Sequence, residues 1–165
     1  MFRAIRLFRD QYLGFWILGL LLFAVQELPY MIMPFLKLQE NPIMNLKNTY
    51  TALDIAEKIL GSGCVAMMMF LVQKDRVMFS VSGSREKLFF LSAAAVLGLN
   101  FLGWALYFTG HQSIFVMMFF IVLMPPLYYI FIGLWRQNIP LAVTGSVFLI
   151  IHFAHVLLEL KNAEV

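Results

Sequence analysis

Five runs of mainly apolar residues divide the chain, at 12–31, 53–72, 88–108, 114–135 and 139–158. Each is close to the roughly 20 residues that a helix needs to cross a hydrocarbon core of about 30 Å. None alternates polar and apolar positions with period 2, and a backbone in lipid must satisfy its own hydrogen bonds. The runs therefore predict helices rather than barrel strands. The expected fold class is an all-α integral membrane protein, a bundle of five transmembrane helices forming a single membrane domain over 1–165.

Within these runs the polar residues are few, so their spacing matters. The last run carries His152, His155 and Glu159. At 100° per residue the three fall within an arc of about 60° and share one helix face. Ionisable side chains at membrane depth are costly and point to function. The same face carries Leu141, Gly145 and Phe148, and the third run has a comparable stripe of Ala93, Val96, Asn100, Gly103 and Tyr107. In the second run Asp54, Glu57, Gly61, Cys64 and Met68 line up in the same way. Small residues on these stripes permit close helix approach.

Depth follows from the rise of 1.5 Å per residue. Glu27 lies about 22 Å along the first run, Asn100 about 18 Å along the third, and His152 and His155 about 20 and 24 Å along the fifth. Glu57 enters the same layer from the opposite end. Glu27, Glu57, Asn100, His152, His155 and Glu159 are thus the candidate ligand-binding residues of one intramembrane pocket, roofed by the long connection between the first two runs.

Composition agrees with the pattern. The 165 residues are 62% hydrophobic and only 13% charged, against about 25% charged in soluble domains. The net charge of +3 is scattered, which excludes a nucleic-acid partner and leaves the bilayer as the expected one. Basic residues instead give orientation. Arg3, Arg6, Arg9, Lys74, Arg76, Arg85, Lys87 and Arg136 fall on one side, and Lys37, Lys47, Lys58 and Lys161 on the other. The heavier side is expected to be cytoplasmic, which places the N-terminus in the cytoplasm and the C-terminus outside the cell membrane. The first run follows arginines as a signal peptide does, but passes Gln26, Glu27 and Pro29 without a small-x-small cleavage site, so it reads as an uncleaved span. Single Cys64 rules out an internal disulfide.

Two further features bear on chemistry. Pro125 and Pro126 in the fourth run each remove a backbone donor, which should free the carbonyls of Ile121 and Val122. Thr51 followed by Asp54 reads as a helix cap with an acid in the first turn. His-x-x-His with an acid four residues on has the spacing for metal ligands, yet lacks the glutamate of the His-Glu-x-x-His zinc signature. Neither a metal site nor a cofactor is assigned. No hydrolase motif, phosphate loop or nucleotide fingerprint is present, and catalytic residues stay unknown.

Three function classes remain open. The first is binding of a small polar or cationic ligand, or a lipid head group, in an outer-half pocket, by the chain alone, as a homo-oligomer or as a transport-related subunit with a membrane partner. The second is an intramembrane enzyme using His/Glu acid–base or metal chemistry. The third is a structural or regulatory membrane partner with no ligand, whose polar groups only hold helices together.

Overall fold

The computed structural model describes residues 2–8, 10–36, 38, 41–47, 49–73 and 78–163. Most of these residues are helical. The long helices are α1 (Ile17–Ile32, continued by a 3-10 turn Met33–Phe35), α2 (Thr51–Phe70), α3 (Ser84–Phe108), α4 (Ile114–Trp135) and α5 (Ile139–Ala163). Four segments, Ile17–Phe35, Ser84–Phe108, Ile114–Trp135 and Ile139–Asn162, are long and apolar enough to cross a membrane. At 20 residues α2 has the length but carries Asp54, Glu57 and Lys58 in its first turns, which lowers its hydropathy.

The chain is not purely helical. Strands β1 (Phe2–Phe8), β2 (Gln11–Phe15) and β3 (Leu71–Gln73) form an antiparallel sheet in that order. Residues 12–15 and 71–72, which the apolar pattern assigns to helices, are strands pairing Tyr12 with Val72 and Leu13 with Leu71. The reason is a contact that hydropathy does not encode. Trp16 N–H donates to Met69 O at 2.8 Å, ending α2 and starting α1 at the same level. Gly19 then allows α1 to lie against α2, since a Cβ there would meet Met68 O at 2.7 Å.

Polar side chains pin the sheet to the bundle. Asn138 donates to Met67 O and Leu71 O, and Gln11 donates to Gln137 O. Arg136 lies over the rings of Trp16 and Trp135, at 4.6 and 5.6 Å from their centroids. Trp16 and Trp135 donate to Met78 O and Ser80 O. Above this layer Cys64, Met68, Tyr128, Ile132 and Leu141 form one core, and at the opposite end Met33, Trp104, Tyr107, Met117 and Leu160 form another.

The fourth run is helical but not regular. Met117–Val122 is a π-helical segment, in which Leu123 N–H reaches Met118 O, five residues back. In that register the missing donors of Pro125 and Pro126 expose the carbonyls of Phe120 and Ile121, one residue earlier than an α-helical count gives. Asn100 Nδ2 supplies the replacement, donating to Phe120 O at 2.9 Å and approaching Ile121 O at 3.5 Å. Gly103, one turn further along α3, lies where a side chain would collide with Phe120.

Candidate ligand cleft

The stripes read from the sequence are buried faces. Ala93, Val96, Asn100, Gly103 and Tyr107 of α3 are buried, as are Leu141, Gly145, Phe148, His155 and Glu159 of α5. In α2 Cys64 and Met68 are buried while Glu57 and Gly61 are partly exposed. Helix periodicity thus places α5 with its two histidines against α2.

Glu57 is the meeting point. Its Oε2 lies 2.5 Å from His155 Nδ1, a spacing at which the ring N–H donates to the carboxylate. Its Oε1 lies 3.1 Å from His152 Nδ1, as an ion-pair contact without hydrogen-bond alignment. The other ring nitrogen of His155, Nε2, is 3.7 Å from Glu159 Oε1, too far for a hydrogen bond but within reach of charge. A row His152–Glu57–His155–Glu159 therefore bridges α2 and α5. Stacking of Phe148 on His152, at 5.0 Å between centroids, fixes one imidazole plane.

Glu159 has a second task. Its Oε1 accepts from Tyr50 N–H at 2.9 Å, at the N-cap of α2. Thr51 is the first helical residue and no side chain of the cap itself bonds the free backbone donors, so the expected local Thr51 cap is replaced by an acid from another helix. A carboxylate at a helix N-terminus is favourable both as acceptor and through the helix dipole.

Beside this row lies a cleft of about 560 Å³ between α1 and α2, floored by α4 and α5. Such a volume is ordinary for small-molecule sites. Glu27, Glu57 and His152 line it together, with Tyr30 and Gln26 at the same end. Gln26 is only 1% exposed and accepts from Tyr129 OH at 3.0 Å, tying α1 to α4. Among the described residues no cationic side chain pairs with Glu27.

The six candidate residues do not all gather here. Glu27, Glu57 and His152 line the cleft; His155 and Glu159 stand behind Glu57, buried. Asn100 is turned towards α4 and bonds the π-turn carbonyls, away from the cleft. Described residues 41–47 of the connection between α1 and α2 do not line the cleft. Ile43 N–H donates to Tyr107 OH, Tyr107 OH donates to Asn41 Oδ1, and Ile43 and Leu46 pack on the Trp104 and Tyr107 core. Gln26, Tyr30 and Tyr129 escaped the sequence reading. The signal available for Gln26 is a second polar residue beside Glu27 inside an apolar run.

Among the described residues no group of three or more His, Cys, Asp or Glu side chains is placed to hold a metal ion. Both histidines direct Nδ1 at the Glu57 carboxylate. The chain matches no family model, and no curated protein or solved structure is significantly similar to it, which leaves the site's geometry to carry its interpretation.

Proposed function

We propose that this chain is a five-span protein of the cell membrane, with its N-terminus cytoplasmic and its C-terminus outside. In this reading it binds a small polar or cationic ligand, or a lipid head group, at the polar end of the cleft in the outer half of the bilayer. It acts by itself or as the membrane subunit of a transporter. Inclusion of α2 as a fifth span is supported by its length of 20 residues and by the pairing of its most exposed charge, Lys58 Nζ, with Asp54 Oδ2 at 2.8 Å.

The observation that carries the ligand reading is the charge balance at one end of the cleft. Three carboxylates, Glu27, Glu57 and Glu159, stand near two imidazoles, His152 and His155. With the carboxylates ionised, the group stays negative even when both rings are protonated. A cation or a hydrogen-bond donor gains from that field, and an anion does not.

Thermal unfolding of the purified protein in nanodiscs tests this reading with tetramethylammonium and guanidinium, against acetate and phosphate as anions. The expected result is a saturable rise in Tm with the cations that disappears in Glu27→Gln, a substitution that breaks no ion pair among the described residues. Equal responses to cations and anions, or none, would overturn it.

A second reading rests on the row itself. His152, Glu57, His155 and Glu159 bring two imidazoles and two carboxylates together between α2 and α5, with the Glu57–His155 hydrogen bond already formed, and an intramembrane acid–base enzyme or a proton-linked transporter would draw on such groups.

A further inference from the structure

The cleft is chemically graded along its length, and the grading says what shape of molecule fits it. Trp16 and Met69 are level, joined by a backbone hydrogen bond of 2.8 Å. Counting from there, Glu27 lies 11 residues up α1 and Glu57 lies 12 residues up α2, so both sit at about 16–18 Å. The polar end is therefore a defined layer. Below it, past Ser62, the lining of α2 is apolar, with Val65, Ala66, Met69 and Phe70, and α1 adds Phe23. From Glu57 to Phe70 the cleft runs 13 residues, about 20 Å, roughly two thirds of a hydrocarbon core about 30 Å thick.

The cleft is open on its side. Ser62, Ala66 and Phe70 line it and are exposed, so among the described residues nothing covers these positions between α1 and α2. A molecule with a hydrocarbon chain can enter sideways from lipid, without a route through the bundle. At the polar layer the carboxylate excess repels phosphate and sulfate. Tyr30 and Phe148 also line the cleft, which puts aromatic rings beside an alkylated ammonium held there.

Resting on the ligand reading above, we infer that the occupant is a single-chain amphiphile whose ammonium head group lies between Glu27 and Glu57 and whose alkyl chain lies along Val65, Ala66, Met69 and Phe70. A phospholipid is a poor match, since its phosphate would face the carboxylates.

The test uses the full chain in nanodiscs and a dodecyltrimethylammonium probe bearing a diazirine in mid-chain. After irradiation, adducts are expected on Phe23 and within Ser62–Phe70, saturable by unlabelled dodecyltrimethylammonium and not by dodecyl sulfate. Ala66→Phe fills the groove from an exposed position and should lower that labelling at least tenfold while leaving the tetramethylammonium stabilisation intact. Ser62→Leu, also exposed, should act in the same direction if Ala66→Phe folds poorly. Non-saturable labelling spread over lipid-facing positions such as Leu91 and Ile150 would overturn the inference. If tetramethylammonium still stabilises the protein in that case, the cation site stands and the chain-binding groove fails; if it does not, both fail.

Discussion

Glu57 works as a junction because two histidines one helical turn apart reach its two oxygens, and the second of them is backed by Glu159. The histidine spacing was legible in the sequence. What was not legible is that one acid from a different helix takes both rings, or that Glu159 also accepts from Tyr50 N–H at the start of α2. Both are long-range pairings, over 98 and 109 residues, and local pattern holds no record of them. Glu159→Ala should therefore destabilise the fold by about 1–2 kcal/mol, as loss of a helix cap does. The loss should fall mainly on the first turn of α2, read as faster amide exchange at residues 50–54. Glu159→Gln keeps an acceptor for Tyr50 N–H and should recover most of that stability. Equal loss in both variants would show that charge rather than capping is what Glu159 contributes.

Among the elements, the long helices are written in hydropathy and the sheet is not. Ala93 to Tyr107 and Leu141 to Glu159 fall on the buried faces that 3.6-residue periodicity gives them. Gln11–Phe15 is apolar enough to continue a span, and its pairing with Phe2–Phe8 on one side and Leu71–Gln73 on the other makes it a strand. The π segment is a subtler case. The proline pair announces freed carbonyls, but the five-residue hydrogen bond from Leu123 moves them to Phe120 and Ile121. Asn100 then acts as a donor to backbone, which an asparagine inside a membrane helix commonly does. Asn100→Asp keeps the shape and removes the amide donor, so it should destabilise the protein by about 1–2 kcal/mol, like Asn100→Ala, while leaving cation binding unchanged. Reduced cation affinity at unchanged stability would instead return Asn100 to the ligand site.

For the whole molecule, α1 and α2 approach closely at Trp16 and Gly19, and the cleft lies between them from Phe70 to Glu27 and Glu57. Sequence depth estimates put these acids in one layer, since helix rise is constant once the spans are known. Which helices border a common space depends on tertiary packing and was visible only in three dimensions. Of the basic residues that set the expected orientation, Arg9, Lys37, Lys74 and Arg76 lie outside the described residues. Orientation has its own test, helped by the single buried Cys64. In a Cys64→Ala background, Asn45→Cys should react with a membrane-impermeant maleimide added to intact cells, and Ser84→Cys should react only after permeabilisation; both positions are exposed. The reverse pattern would invert the topology and place the polar layer in the inner leaflet.

The central claim is that a cation enters the cleft beside Glu57 and is sensed by the histidines that hold it. With only three histidines in the chain, selective ¹⁵N-histidine NMR of the protein in nanodiscs reads this directly. On titration with tetramethylammonium, the side-chain resonances of His152, which lines the cleft, and His155, which shares Glu57, should move saturably and together. Exposed His111 should stay fixed. Stationary His152 and His155 resonances, or equal drift of all three, would contradict the account.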